Sequence, residues 1–313
     1  LKQNYPSHLF EILVIDDHST DGTPEWLAET YGGTVRVLHL DHFLAQKEVV
    51  AFKKAALTYG VQEAEGDWII TTDADTISQP DWLKTVAFYV ENSPVDAVAG
   101  PIRYRYDRSL LSQFQALDNA ATMLLAAAGL SSGNWALGNG ANLAFRKKTF
   151  WELDGYEGSW DQPSGDDLFL LQKWMDAGAR VGFLKHPRTV VDTFPEPTWK
   201  RFWDQRLRWA GKPVGFGLRL IQGGVFGYYL LVLIGLSGGL LLDWEWLWVA
   251  MALFFWKAGI DYFWIREGAR FLQQDRLMRS YGLMAPLYML YILWVGSLAL
   301  MRKRKSWKGR SWK

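Results

Sequence analysis

The chain has 313 residues, enough for one large domain or two smaller ones with a real core. Its 34 Lys and Arg balance 33 Asp and Glu to a net charge of +1, without the basic surplus of a general nucleic-acid binder. It has no cysteine, which excludes disulfides and Cys-ligated zinc.

The opening LKQNYP has no initiator Met, no signal peptide and no helix-start signal, so it reads as an interior piece of a longer protein. Residues 11–15 (EILVI) form a nearly continuous apolar run that stops at Asp16-Asp17 and the turn formers HSTDGT. That pattern predicts a strand buried on both faces. Pro24 opens a helix through Thr30, and residues 35–40 predict a second strand. Helical spacing over 48–60 places Lys53 and Lys54 between apolar positions, and Gly66 ends it. Residues 68–72 (WIITT) predict a third strand, which runs into Asp73-Ala74-Asp75. A helix over 81–90 and a strand over 96–100 follow. Strands alternating with helices predict an α/β domain with a mostly parallel sheet, whose ligands bind beyond the carboxyl ends of the strands. Both acidic clusters sit at such ends.

Further along, residues 113–129 predict a long helix, and GNGANLAF at 138–145 turns into a strand. Gly165-Asp166-Asp167 precedes a helix that ends near Gly178. Residues 198–211 predict an amphipathic helix rich in Trp and Arg. Much of the 18-residue Trp complement falls after Glu196, as expected where a protein meets lipid headgroups. Three apolar segments close the chain, at about 223–242, 246–265 and 283–301, each near the ~20 residues a spanning helix needs. The second holds Lys257 and Asp261, four apart and therefore able to pair on one helix face. Arg266, Arg270, Arg276 and Arg279 precede the third segment, and Arg302, Lys303, Arg304 and Lys305 follow it. If the first part is cytoplasmic, a third full crossing places that basic tail outside, against the positive-inside rule. Either the third segment re-enters the membrane or the rule is broken.

Four clusters point to chemistry. Asp73 and Asp75 can turn two carboxylates toward one hard cation, Mg²⁺ or Mn²⁺, shared with phosphates, although the same pattern occurs in solvated turns. Asp16 and Asp17 repel one another and seek solvent, a donor or a cation, or else cap a turn. Asp166 and Asp167 can supply a general base or an N-cap. Gln205, Arg208 and Trp209, in QRLRW, offer a guanidinium fork for phosphate and a flat ring for a sugar, or else form an interfacial helix with snorkelling Arg.

In sequence order these motifs resemble glycosyltransferase family 2, through EILVIDDHSTDGT at 11–23, KKAAL at 53–57, GDWIITTDADT at 66–76, NGANLAF at 139–145, GDDLFLL at 165–171 and QRLRW at 205–209. The resemblance runs to about Gly211, and the apolar end suits the membrane-bound branch of the family. It implies a GT-A nucleotide-binding domain over 1–211 and a membrane region over 212–313. It also implies a nucleotide-sugar donor held by Asp16, Asp17, Lys53, Asp73 and Arg208, and a divalent metal at Asp75 and Asp73. Asp167 is implied as catalytic base, with Asp166 beside it where the family commonly has Glu, and Gln205 and Trp209 would meet a lipid or glycan acceptor. The implied reaction is inverting transfer, with the catalytic part on the cytoplasmic face of the plasma membrane. The family opens this domain with a strand and a P-x-[YRH]-N-E type loop that nothing before Glu11 matches, so the chain is expected to be truncated and poor in donor binding. Three alternatives stay open: a processive polysaccharide synthase, a nucleotidyltransferase and a non-catalytic binding module.

Overall fold

A computed structural model describes residues 2–44, 51–162, 164–212, 214–301, 305–307 and 310–312. The start of the helix expected over 48–60 and the basic residues 302–304 lie outside the described residues. In chain order the elements begin with β1 (Leu13–Asp16), α1 (Thr23–Tyr31), β2 (Arg36–His39), α2 (Leu40–Leu44), α3 (Phe52–Glu63) and β3 (Trp68–Thr71). Next come β4 (Ile77–Ser78), α4 (Trp82–Asn92), β5 (Ala97–Ala99), β6 (Ile102–Tyr104), α5 (Leu110–Ser132), β7 (Leu143–Arg146) and α6 (Lys147–Glu152). Then follow α7 (Asp166–Asp176), β8 (Val181–Phe183), β9 (Val191–Thr193), α8 (Trp199–Ala210), α9 (Phe216–Leu241), α10 (Trp244–Phe271) and α11 (Tyr281–Met301). The chain divides into two compact units: Leu1–Pro101 with Leu130–Val191, and Ile102–Gly129 with Asp192–Lys313.

In the first unit, β1 and β2 pair in parallel, Leu13 opposite Arg36. A second sheet runs β3-β7-β5-β8. Its pleat sorts side chains by alternation. Leu143 and Phe145 of β7, with Ala97 and Ala99 of β5, join Leu170, Leu171 and Trp174 of α7 in one core. Ala144 and Val98 face the other way, against Trp82, Val86 and Val90 of α4. Helices therefore cover both faces, which is the α/β arrangement expected.

The expected mostly parallel sheet is corrected to a mixed one. β7 inserts between β3 and β5 and runs antiparallel to both, whereas β5 and β8 are parallel. The insertion is held by Asn142, immediately before β7. Its side-chain amide donates to the carbonyls of Pro101 and Thr189, both at 2.8 Å, and its Oδ1 accepts from Trp82 Nε1 at 3.1 Å. Gly100 is the residue that leaves room, because a Cβ there would overlap the Asn142 amide.

In the second unit, α5, α8 and α11 share an aromatic core of Phe114, Phe202, Tyr288 and Tyr291. The three apolar segments are the helices α9, α10 and α11. α9 and α10 pack closely because Gly235 and Gly239 lack side chains that would overlap Ala250 and Leu247. On α10, Lys257 donates to both Asp261 oxygens, at 2.5 and 2.6 Å, and Tyr229 of α9 donates to the same carboxylate at 3.3 Å. The charges expected to pair do so. Among the described residues, two helical stretches, Phe216–Leu241 and Asp275–Met301, are long and apolar enough to cross a membrane.

Candidate active site

The first unit builds a charged centre from three distant segments. Lys53, on the first turn of α3, places its ammonium 3.3 Å from Asp73 Oδ1 and 3.6 Å from Asp166 Oδ2. Asp73 lies just beyond β3, in a turn closed by Thr76, whose hydroxyl and amide both donate to the Asp73 carbonyl. Asp75, at the tip of that turn, is exposed.

Gly165 adopts a left-handed backbone, φ 88°, and turns the chain into α7 so that Asp166 and Asp167 occupy its first turn. The N-cap is thus Gly165 rather than either Asp. The two carboxylates then divide. Asp166 is 6% exposed and faces Lys53. Asp167 is more open and accepts from the amides of Leu168, 2.8 Å, and Gly140, 3.3 Å. The helix N-terminus favours both as anions. Gly140 is fixed in turn by Thr71 at the end of β3, whose hydroxyl donates to its carbonyl at 2.5 Å.

Burial pulls the Lys53 pKa down, but Asp166, Asp73 and Asp167 outweigh it and hold the ammonium above its ordinary range. Tyr156 lies behind the acids. Its burial pushes the phenol well above the usual value, and the charges of Asp166 and Asp167 add to that shift. Lys54, next to Lys53 on α3, is buried beside Tyr156. It is 1% exposed, donates to the Ser159 carbonyl at 2.7 Å and sits over the rings of Phe169 and Tyr156. It ties α3 to the loop that delivers the acidic pair.

The second acidic group stands at the end of β1. Asp16 accepts from the Ser19 amide, and His39 Nδ1 lies 3.7 Å from it. Asp17 Oδ1 is 2.8 Å from His18 Nδ1, and the other His18 nitrogen reaches Asp41 at 2.5 Å. His18 has φ 63°, a left-handed conformation in which His is enriched. The bond to Asp17 raises the His18 pKa, burial opposes it, and Asp41 adds to the rise. The His18 ring stands edge-on to Phe52, beside Lys53, with centroids 6.1 Å apart. The first unit thus brings Lys53, Asp73, Asp166 and Asp167 together, and a ring contact links the Asp17 loop to the start of α3.

The QRLRW residues lie on α8 of the second unit, whose Thr198 N-cap accepts from the Arg201 amide. Gln205 donates to Glu196 at 3.0 Å, and Arg208 and Trp209 are half-buried. The deeply buried member is Arg206, which the sequence reading passed over. Its partner Asp118 on α5, 2.5 Å away, was missed as well. Asp118 carries no local motif, and only its position in a long apolar helix marked it.

Comparison with known proteins covers the part of the chain that holds Lys53 and Asp73. Residues 1–153 match the family model described as Glycosyl transferase family 2. These residues are a family 2 glycosyltransferase domain. The "Probable glycosyltransferase YdaM" of Bacillus subtilis is 26% identical over 220 residues, 66% of this chain and 48% of that protein. The "Poly-beta-1,6-N-acetyl-D-glucosamine synthase" of Staphylococcus epidermidis is also 26% identical, over 67% of this chain and 48% of that protein. The chain therefore spans about half the length of the relatives it matches. Among solved structures, S. aureus TarS 1–349 aligns with 15% identity and a TM-score of 0.45, over 99% of this chain and 88% of that one. Within the glycosyltransferase domain lie Asp16, Asp17, Lys53, Asp73, Asp75 and Gly140, whereas Asp166, Asp167 and the QRLRW helix follow the matched stretch.

Among the described residues, no three His, Asp or Glu side chains converge as a metal cage. One Asp73 oxygen already faces Lys53, while Asp75 stands open to solvent. That set suits Mg²⁺ or Mn²⁺ held by one or two carboxylates, with phosphate and water completing the shell, and it does not suit a metal held by protein alone.

Proposed function

We propose that the protein transfers a sugar, with inversion, from a nucleoside-diphosphate sugar to a lipid or glycan acceptor at a membrane. The observation that carries this reading is the Lys53 ammonium between Asp73 and Asp166, beside the open carboxylate of Asp167, in a chain with a family 2 domain. Residues 1–211 would be the catalytic part and 212–313 the membrane region, with the apolar α9 and α11 crossing the bilayer and α10 burying its paired charges. The catalytic part would face the cytoplasm.

In this reading Asp16 and Asp17 hold the base and ribose end of the donor. Lys53 and Asp73 set the position of the diphosphate, and Arg208 faces its negative charge. The acceptor hydroxyl attacks the anomeric carbon as the bond from that carbon to the diphosphate oxygen breaks. The electron pair leaves with the nucleoside diphosphate. Asp167 takes the hydroxyl proton, since it is the more open of the two acids, while Asp166 stays occupied with Lys53. Gln205 and Trp209 orient the acceptor. A divalent metal at Asp75 and Asp73, when bound, would supply charge to offset that of the departing diphosphate. Holding donor and acceptor in line contributes much of the acceleration.

A second reading, processive synthesis of a polysaccharide, is favoured by the relatives named as poly-N-acetylglucosamine synthases. Product length separates the two, as a ladder of polymers means processive synthesis and a single added sugar means one transfer. The test of both is a screen of UDP- and GDP-sugars with membranes containing the protein, with Mn²⁺ or Mg²⁺ against EDTA, reading released nucleoside diphosphate. Metal-dependent release supports the transferase. Release of pyrophosphate would instead indicate a nucleotidyltransferase, and no release from any donor would leave a binding module.

A further inference from the structure

The QRLRW helix holds a buried charge that the mechanism above does not use. Arg206 is 5% exposed and Asp118 7%. Arg206 Nη1 lies 2.5 Å from Asp118 Oδ2. The remaining guanidinium nitrogens, Nε and Nη2, have no hydrogen-bond partner among the described residues. Instead the guanidinium lies over three rings: Trp209 at 4.7 Å, Phe202 at 5.1 Å and Tyr291 at 5.9 Å. Phe202 and Trp209 are four residues before and three after Arg206, so all three share one helix face. Asp118 comes from α5 and Tyr291 from α11, so three helices meet on one side chain.

A buried guanidinium is costly unless a carboxylate and aromatic faces surround it. Its plane is therefore set by Asp118, and the Trp209 indole rests against that plane. We infer that Arg206, braced by Asp118, is a positioning residue that fixes the Trp209 ring for the acceptor. The inference rests on the transferase reading for what Trp209 contacts. It adds that the spacer Arg206, rather than Arg208, sets the shape of the acceptor side. Asp118 then acts on the acceptor side only through Arg206 and Trp209, from a different helix.

The experiment uses the full chain in nanodiscs, labelled with 5-fluorotryptophan, with the Trp209 ¹⁹F line assigned from Trp209→Phe. Asp118→Asn and Arg206→Met are expected to shift or broaden that line, and Asp118→Glu, which keeps the pair, to leave it in place. A thermal melt of each variant separates repositioning from unfolding. The second readout is turnover of whichever UDP- or GDP-sugar the donor screen selects, with water or with octyl β-D-glucoside as acceptor. In Asp118→Asn, transfer to the glucoside falls about tenfold while hydrolysis keeps its donor KM, with recovery in Asp118→Glu. An unmoved Trp209 line in a folded Asp118→Asn overturns the inference, as does an equal fall in hydrolysis and transfer. If the wild type turns over no donor, the transferase reading fails, and the ¹⁹F line still decides whether Arg206 positions Trp209.

Discussion

The Lys53 ammonium lies 3.6 Å from Asp166, which joins the start of α3 to the start of α7. With Asp73 at 3.3 Å, that cation neutralises part of an acidic group that would otherwise repel a diphosphate. The Lys53 side chain is about one-third exposed, so it can also turn toward a ligand.

Replacing it is therefore predicted to affect donor binding and turnover together. Lys53→Met should raise the donor KM and lower kcat/KM by about 10²-fold, and Lys53→Arg should recover part of the loss. Because the Lys53 pKa is raised in the fold, its charge and the stability it lends are fully present below the ordinary value of 10.5. The Lys53→Met defect should accordingly stay constant across neutral pH. Steady-state kinetics at several pH values checks both points.

Asp75→Ala should remove the dependence on Mn²⁺ or Mg²⁺ and reduce turnover by about 10²-fold or more. Asp75 is exposed at the tip of its turn, so the melting temperature should not change. Activity against metal concentration, together with a thermal melt, separates these effects. A metal response like that of the wild type would remove Asp75 from the metal site.

His18 gives a pH signature. Its folded-state pKa lies above 6.5, chiefly through its bond to Asp17. The stabilisation this bond supplies is present below about 6.5 and is lost as pH rises through the raised folded-state value. An NMR titration of the His18 ring should show the raised value, and Asp17→Asn should lower it. A bound nucleotide that engages Asp17 should lower it as well.

Much of the fold was legible in the sequence because it is written in local patterns. The apolar runs that stop at Asp16-Asp17 and before Asp73 became β1 and β3, and the Trp-rich amphipathic stretch became α8 behind its Thr198 cap. The strand partners were not legible. Residues 143–146 read as a strand, but their insertion between β3 and β5 depends on Asn142 meeting Pro101, Thr189 and Trp82, contacts that no periodicity encodes. The site divides in the same way. Asp73, Asp166 and Asp167 were visible as motifs, whereas Lys53 became central only once the fold set its ammonium between them. Arg206 and Arg208 are indistinguishable as letters, and only Asp118, far away in the chain, makes one of them the buried charge.

Gly100 tests the mixed sheet. Gly100→Ala would press a Cβ onto the Asn142 amide and disturb three buried hydrogen bonds. A loss of about 1–3 kcal/mol is expected, seen as a lower melting temperature. Asn142→Ala should destabilise by a similar amount for the same reason, and the double variant should fall short of the sum because the two residues touch.

The most direct test of the central claim is nucleoside diphosphate release by Asp167→Asn beside wild type, each in membranes with Mn²⁺, an acceptor and the UDP- or GDP-sugar that the donor screen selects. Asp167 accepts from the Gly140 and Leu168 amides, while the close contacts of Lys53 run to Asp73 and Asp166. The account predicts that release falls by about 10³-fold while the nucleoside diphosphate still binds as tightly as to wild type. Release at the wild-type rate would contradict it, because the proton of the acceptor would then have to go elsewhere.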